Sequence, residues 1–288
     1  MLSINNPEYI NKLLAEHSYI SDMQIDTVLY LMLNLKKPLL IEGEAGVGKT
    51  EIAKVLAQAL DAKLIRLQCY SGIDENKALY EWNYQKQLLS IQLKEDLKEK
   101  DLFSREYLLA RPLLKALTNE KRTVLLIDEI DKVEEEFEAF LLEILSDFQV
   151  SIPEYGTVAA NQRPIVILTS NSTRNLSDAL KRRCLYLYLE YPEPEKEKAI
   201  ITAKVPDIET KLAEQIVSAV KKIRQQLKIK KKPSISETID WAEALLTLGA
   251  KELTAEFIEQ TTSALFKFQQ DYKAFTSKGG AEWLLKEE

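Results

Sequence analysis

The chain has 288 residues, 45% of them hydrophobic, which suffices for one large globular domain or for one domain with a smaller companion. Its net charge of −6 argues against non-specific adhesion to nucleic acid, although a local basic patch stays compatible with it. The two cysteines lie far apart, the first residues do not show the basic and apolar regions expected of a signal peptide, and no apolar run approaches ~20 residues. We therefore expect a cytoplasmic protein without membrane insertion.

The N-terminal part, residues 8–35, has apolar side chains at helical spacing and predicts two helices with a break at 18–21. Ser21 or Asp22 is a candidate N-cap for the second helix. The single histidine, His17, has no histidine partner for a metal cluster or a catalytic triad. A surface position on a helix is the better interpretation of His17.

A glycine-rich segment follows a short apolar run at 38–41 and precedes a helical pattern at 50–60. The segment fits the motif G-x-x-x-x-G-K-[ST], whose backbone N–H groups cradle phosphates at the start of a helix. Lys49 would reach the β and γ phosphates, and the Thr50 hydroxyl would hold magnesium. The alternative is a glycine-rich turn between a core strand and a core helix. The candidate ligand-binding residues are Gly43, Glu44, Ala45, Gly46, Val47, Gly48, Lys49, Thr50 and Glu51.

The next stretch predicts a strand at 63–68 and then a hairpin near 80–91, because the runs 80–84 and 87–91 are rich in β-forming residues. In such a strand Tyr80, Trp82 and Tyr84 would share one side. The charged segment 94–101 is most simply a solvated helix face or a loop.

A second chemical landmark is the apolar run from Thr123 that ends in Asp128 and Glu129. Such a run reads as a central parallel strand, whose C-terminal end is where ligands bind in an open sheet. Asp128 would contact magnesium, directly or through water, and Glu129 would orient the attacking water or accept its proton. The alternative is a strand that ends at an acidic helix start.

An amphipathic helix is predicted at 137–146, and a second hairpin is predicted at 148–160 with Tyr155 at its turn. The aromatic residues Trp82 and Tyr155 have two interpretations. They pack each hairpin onto its own subunit, or they are exposed anchors for a partner protein.

Residues 164–170 predict another core strand, which ends in Asn171. This amide could hydrogen-bond a γ phosphate or the lytic water, or it could cap the following helix. That helix, at 178–184, carries Arg182 and Arg183 near its C-terminus, where cations compensate the helix dipole.

Two prolines in the linker 191–194 separate this part from a region that is helical throughout. The cations within 221–232 could touch nucleic acid, but a solvated face is the favoured interpretation. Helices are predicted near 194–204, 207–227, 235–248 and 252–274, with a short terminal helix around 281–285.

The order of these motifs resembles the AAA+ ATPases, in which Walker A, Walker B, sensor 1 and an arginine finger follow one another. Here they are 43–50, 125–129, Asn171 and 182–184. The stretches 152–157, 180–186 and 191–194 look like the MoxR group. The stretches 41–46, 69–74 and 233–241 look most like its CoxD branch, which is associated with carbon-monoxide dehydrogenase assembly.

The resemblance implies a ring, most simply a hexamer, with ATP and Mg2+ at each subunit interface. It implies Walker A roles for Lys49 and Thr50, the Walker B role for Asp128 and Glu129, and sensor 1 for Asn171. Arg183 would be the arginine finger, with Arg182 as the alternate. The two hairpins would be the insertions of the group. Its partners are often proteins with a von Willebrand A domain, and the work done is maturation of a metalloenzyme.

One departure from the MoxR pattern concerns the lid, where an arginine called sensor 2 often follows a Ser-Pro. Here residues 236–238 offer no arginine, so lid closure by that residue is not expected. Lys231 or Lys232 would be a substitute.

The resulting prediction is an α/β fold, a parallel-sheet P-loop AAA+ core at 1–190 with an all-helical lid at 191–288. The predicted function is Mg-dependent ATP hydrolysis that remodels or matures a partner protein. One alternative is an ATP-gated scaffold in which ring assembly, rather than turnover, serves the partner. Another is a DNA-associated ATPase, which would require strongly salt-dependent binding to nucleic acid.

Overall fold

The computed structural model describes residues 5–93 and 99–286, whose contacts form two compact units. The first unit takes in the described residues up to His17 together with Ser21–Gly43 and Lys49–Tyr188. The second takes in Ser18–Ile20, Glu44–Gly48 and the described residues from Leu189 onward. The expectation for 94–101 falls in part outside the described residues. Within those residues, no helix combines the length and apolarity needed to cross a bilayer.

The first part of the chain contains both strands and helices. The strands are β1 Leu39–Gly43, β2 Lys63–Gln68, β3 Tyr80–Trp82, β4 Leu108–Ala110, β5 Thr123–Asp128, β6 Gln149–Ile152, β7 Gly156–Ala159, β8 Ile165–Ser170 and β9 Leu185–Leu189. The helices among them are α1 Pro7–Ala15, α2 Met23–Leu35, α3 Lys49–Ala59, α4 Glu75–Ala78, α5 Tyr84–Leu93, α6 Glu99–Leu102, α7 Pro112–Thr118, α8 Glu135–Asp147 and α9 Asp178–Arg183. Asp22 caps α2 by accepting the Ile25 N–H at 3.0 Å.

The principal sheet has the strand order β2-β5-β8-β1-β9. The pairs β2–β5, β5–β8 and β8–β1 are parallel, and every residue of the central strand β5 is buried. A strand covered on both faces requires an unbroken apolar run, which is why Thr123–Asp128 does not alternate. The parallel α/β fold predicted from the sequence is confirmed, and its register places Gln68 beside Asp128 and Glu42 beside Ser170.

The hairpin predicted near 80–91 is wrong. Strand β3 pairs antiparallel with β4, while residues 84–93 form α5. Asn83 explains the difference, because its side chain accepts the Lys86 N–H at 3.0 Å and so caps a helix instead of turning a hairpin. The Gln, Lys and Leu residues that follow are good helix formers.

The aromatic residues of the two predicted hairpins lie largely within the protein. Trp82 is 7% exposed and packs edge-on against Phe103, with ring centroids 5.3 Å apart, so it is not an exposed anchor. Tyr84 lies outside β3 and is 63% exposed. At 148–160 the structure has an antiparallel β6–β7 hairpin, and the half-buried Tyr155 at its turn packs against the core of the first unit.

The second unit is helical around a core of its own. Its helices are α10 Pro194–Lys204, α11 Thr210–Gln226, α12 Ile235–Thr247, α13 Ala255–Leu265, α14 Gln269–Ser277 and α15 Gly280–Leu285. Trp241 is fully buried in that core, and its indole N–H donates to the Thr261 hydroxyl at 2.7 Å. The single helix predicted at 252–274 is wrong, since α13 ends at Leu265 and α14 begins at Gln269.

The break between α13 and α14 has a tertiary cause. It allows the rings of Phe266 and Phe275 to meet, with centroids 5.0 Å apart. It also places the buried Asp271 carboxylate where it accepts the N–H groups of Lys230 and Lys231. No glycine or proline marks this break, so side-chain periodicity gives no sign of it.

The basic segment 221–232 is only partly a solvated face. Arg224 is turned inward, where it forms two hydrogen bonds with the Glu197 carboxylate at 2.7 and 2.8 Å. The side chains of Arg224 and Glu197 are 10% and 2% exposed. Lys222 donates to the carbonyl oxygens of Trp283 and Lys286 and lies over the Trp283 ring.

The buried Arg224–Glu197 pair predicts a large effect of removing one partner. Glu197→Gln leaves the guanidinium without a compensating charge, and we expect the free energy of unfolding to fall by about 3–5 kcal/mol. Glu195→Gln is the matched control, because Glu195 has an 89% exposed side chain and should matter by less than about 1 kcal/mol. Urea denaturation measures both, and equal losses for the two variants would contradict the prediction.

Candidate nucleotide-binding site

The loop 44–48 connects β1 to α3 in the chain. Gly46 and Gly48 have φ angles of +78° and +97°, in the left-handed region that glycine adopts without strain. Lys49, the first residue of α3, is 6% exposed, and its Nζ donates to the Gly43 carbonyl oxygen at 2.7 Å. The lysine side chain thus folds back to the residue at which the loop begins. Of the other predicted binding residues, Glu44 and Ala45 are exposed, Val47 is buried, and Thr50 and Glu51 are half-buried.

Within the second unit, Gly46 packs against Ser234, the N-cap of α12. A Cβ at position 46 would overlap the Ser234 side chain, so glycine is required there for space as well as for its φ angle. Ser234 forms a capping box with Glu237, and Lys231 Nζ donates to Glu237 Oε1 at 2.5 Å. Burial raises the pKa of Glu237, but the hydrogen bonds from Lys231 and Ser234 outweigh it and lower the pKa overall.

Asp128, the last residue of β5, is 2% exposed and is held from three sides. Its Oδ1 accepts hydrogen bonds from the Thr50 hydroxyl at 3.0 Å and from the Thr169 hydroxyl at 2.5 Å. Its Oδ2 accepts from Arg66 Nε at 2.9 Å and forms an ion pair with Arg66 Nη2 at 2.5 Å. The P-loop helix α3 and the strands β2 and β8 therefore converge on this one carboxylate.

Glu129 follows in a left-handed backbone conformation, with φ +59° and ψ +48°. That conformation costs a non-glycine residue roughly 1–2 kcal/mol, and functional sites are where such strain is found. Its N–H donates to the Thr169 hydroxyl at 3.0 Å. Its carboxylate accepts from Gln68 Nε2 at 2.7 Å and from Lys132 Nζ at 2.5 Å.

Three carboxylates, those of Asp128, Glu129 and Asp131, act on neighbouring groups at this end of the sheet. Burial raises the pKa of the Cys69 thiol to about 12, with further contributions from Asp128, Asp131 and Glu129. The hydrogen bond to Glu129 likewise raises the pKa of Lys132. Carboxylates gathered in this way favour a cation such as a divalent metal ion.

Asn171 lies just beyond β8, and its backbone N–H donates to Asp131 Oδ1 at 3.1 Å. The interpretation of Asn171 as a helix cap is wrong, because Ser177 caps α9 by accepting the Leu180 N–H. Asn171 is half-buried and directly follows β8, and its backbone is held by Asp131 at the carboxyl end of that strand.

The two candidate arginine fingers occupy the last turn of α9. Arg183 donates from Nε to the Ser146 hydroxyl at 3.1 Å and from Nη1 to the Ala179 carbonyl oxygen at 3.2 Å. Arg182 is exposed. Cations at a helix C-terminus also compensate the dipole, so that alternative fits both residues.

Sequence reasoning missed the residues that orient the carboxylates: Arg66, Gln68, Asp131, Lys132 and Thr169. The first two occupy alternating exposed positions of β2, the strand paired with β5. Strand alternation could have placed them on one face, but only the register shows that this face meets Asp128.

A glycine-rich phosphate loop after the first strand, with acidic residues at the end of the buried parallel strand β5, defines the P-loop ATPase class. The family model of the AAA domain, dynein-related subfamily, matches residues 38–184, just over half of the chain. The chain belongs to this family and is an AAA+ ATPase.

Two curated proteins are similar. The gas vesicle ATPase GvpN of Haloferax mediterranei is 26% identical over 220 residues, which are 72% of this chain and 62% of that protein. An uncharacterized protein of Staphylococcus aureus is 23% identical over 244 residues, 81% of this chain and 84% of that protein. The first match thus spans less than two thirds of its relative.

Among solved structures, a RuvB mutant of Thermotoga maritima superposes with a TM-score of 0.52 at 20% sequence identity. The match covers 85% of this chain and 70% of that chain. At this identity the likeness concerns the fold, and it agrees with the parallel sheet and helical C-terminal region described above.

Thr169 provides a direct test of the site's construction. Thr169→Val keeps the shape of a 1% exposed side chain but removes the hydroxyl shared by the Asp128 carboxylate and the Glu129 N–H. We expect the free energy of unfolding to fall by about 1–3 kcal/mol, because two polar groups lose a partner. Thr247→Val, at an exposed threonine in α12, should change it by less than ~0.5 kcal/mol. Chemical denaturation compares them, and a neutral Thr169→Val would contradict this account.

Proposed function

We propose that this AAA+ ATPase binds ATP with Mg2+ through the loop 43–51 and Asp128, and that hydrolysis remodels or matures a partner protein. The observation that carries the proposal is the hydrogen bond of 3.0 Å between the Thr50 hydroxyl and the Asp128 carboxylate. It joins the start of the helix after the phosphate loop to the end of the central strand. Both side chains offer oxygen atoms as metal ligands, the type of ligand that Mg2+ prefers.

The donor set therefore fits a magnesium ion that also binds phosphate oxygens. Thr50 and Asp128 would hold it from the protein side, and Lys49 would contact the phosphates as a point charge. Bound magnesium would neutralise charge on the β and γ phosphates. Backbone N–H groups of 44–48 and the N-terminus of α3 would bind the remaining phosphate oxygens.

Glu129 is proposed to orient the attacking water and to accept its proton. Glu129 directly follows Asp128, the proposed metal ligand, and Gln68 and Lys132 donate hydrogen bonds to its carboxylate. Asn171 would help to fix the γ phosphate or the water. Arg183, or Arg182 as its alternate, would stabilise the transferred phosphate of a neighbouring subunit in a ring, for which a hexamer is the proposed size.

The partner is proposed to be a protein with a von Willebrand A domain, a metalloenzyme client, or both, as the resemblance to the MoxR group and its CoxD branch implies. The similarity to a gas vesicle ATPase supports membership of a MoxR-like group rather than a particular client. The rival is an ATP-gated scaffold, which needs ATP binding but not turnover. The helical region at 191–288 is proposed as the lid of the 1–190 core.

Variants of Lys49 and Glu129 distinguish an ATPase that needs turnover from a scaffold that needs only ATP binding. We expect Lys49→Ala to lose tight ATP binding, whereas Glu129→Gln keeps binding and lowers hydrolysis by ~10²-fold or more. Calorimetry and phosphate release measure the two quantities, with Lys54→Ala as the control on an exposed position of the same helix. Hydrolysis by Glu129→Gln at the parent's rate would remove Glu129 from the mechanism. Full partner action by Glu129→Gln would favour the scaffold.

Mixing two inactive variants tests whether Arg183 acts on the ATP of a neighbouring subunit. Arginine fingers are worth ~10³–10⁵ in rate in GTPases, so Arg183→Ala should be nearly inactive alone. Mixed with Lys49→Ala subunits, it should recover turnover, because some interfaces then combine an intact loop with an intact Arg183. The same mixture made with Arg182→Ala identifies which arginine acts. If the activity of the mixture never exceeds the sum of the separate variants at any ratio, Arg183 does not act on the ATP of a neighbouring subunit.

A further inference from the structure

Two buried carboxylates hold the segment between β8 and α9. Asp131 is 3% exposed and accepts the N–H of Asn171 at 3.1 Å and the N–H of Thr173 at 3.0 Å. It also accepts the Thr173 hydroxyl at 2.6 Å. Farther along, Glu138 is 1% exposed, accepts the Ser177 N–H at 3.0 Å and is paired with Arg174.

The backbone that Asp131 grips is strained. Ser172, between its two backbone donors, has φ +56°, a conformation that disfavours residues with a Cβ. The Ser172 N–H is satisfied locally by the Ser170 hydroxyl at 3.0 Å. The hydrogen bonds on either side of Ser172 therefore offset its strain and fix the direction in which Asn171 leaves β8.

Asp131 also belongs to the turn that carries Glu129. That turn closes through a hydrogen bond of 3.0 Å from the Lys132 N–H to the Glu129 carbonyl oxygen. The turn and the end of β8 are thus joined twice, by Thr169 to the Glu129 N–H and by Asp131 to the Asn171 N–H. The relative placement of Glu129 and Asn171 depends on these two links.

We propose that Asp131 is a positioning residue that sets Asn171 against Glu129 for hydrolysis. This inference rests on the proposed function, which assigns Asn171 and Glu129 to the γ phosphate and the water. Asp131 itself is not proposed to contact the γ phosphate or the water. Its effect passes through the backbone of the segment 171–173, and displacements of about 1 Å at a catalytic group can cost ~10²-fold in rate.

The chemistry of the site explains why a carboxylate is needed. The three groups of the segment 171–173 that contact the Asp131 carboxylate all donate hydrogen bonds, and an ionised carboxylate only accepts. Burial raises the pKa of Asp131, but the hydrogen bonds from Thr173 and Asn171 outweigh it and lower the pKa overall. An asparagine at 131 would turn its NH2 group toward one of two backbone N–H groups.

The test is a double-mutant cycle with Asp131→Asn and Asn171→Ala in the full chain. We expect Asp131→Asn to lower kcat by ~10-fold or more while the affinity for a non-hydrolysable ATP analogue changes by less than ~3-fold. In the Asn171→Ala background the same change should cost less than ~2-fold, because the group that it positions is already gone. Thr173→Val, which removes only the hydroxyl donor, should give a smaller loss with the same coupling.

The matched control is Glu138→Gln, at the other buried carboxylate of the segment. Its effects on kcat and those of Asn171→Ala should multiply, as for independent sites. Suppose that Asn171→Ala alone lowers kcat and that the losses caused by Asp131→Asn and Asn171→Ala also multiply. That result would overturn the inference and leave the proposed function standing. An Asn171→Ala variant with the parent's kcat would overturn both the role of Asn171 and the inference. If Asp131→Asn does not fold, Thr173→Val decides by the same criterion.

Discussion

The Asp128 carboxylate is almost completely buried, and three elements of the first unit supply the groups that compensate it. An isolated carboxylate in such a position costs several kcal/mol, so it requires hydrogen bonds and a counter-ion. Thr50, Thr169 and Arg66 supply them from three different elements. Satisfying one buried carboxylate thereby fixes the helix after the phosphate loop, the neighbouring strand β8 and the edge strand β2 relative to one another.

Features that depend only on residues adjacent in the chain were predictable from the sequence. The phosphate loop is one contiguous motif, and the buried strand β5 needs an unbroken apolar run, so both were predictable from adjacent residues. Capping also acts over three residues, which is why Asp22 could be proposed for α2. The family assignment follows from the same contiguous stretches and their order.

What the sequence could not show depends on register and tertiary contact. Arg66 and Gln68 matter because β2 lies beside β5 with Gln68 opposite Asp128, a relation set by pairing and not by spacing. Helix α5 and strand β3 were mistaken for one hairpin because both carry β-forming residues, and the capping role of Asn83 decided between them. The break before α14 follows from the packing of Phe266 on Phe275.

Glu129 has a left-handed backbone conformation, so the residue that is best for the stability of the fold differs from the residue that the proposed hydrolysis requires. A glycine there would remove roughly 1–2 kcal/mol of conformational strain. The more flexible unfolded chain would offset about 0.4–1 kcal/mol of that gain. Selection for a more stable fold alone would therefore favour glycine over the carboxylate, and screens for thermostable variants should find Glu129→Gly as a more stable but catalytically inactive variant.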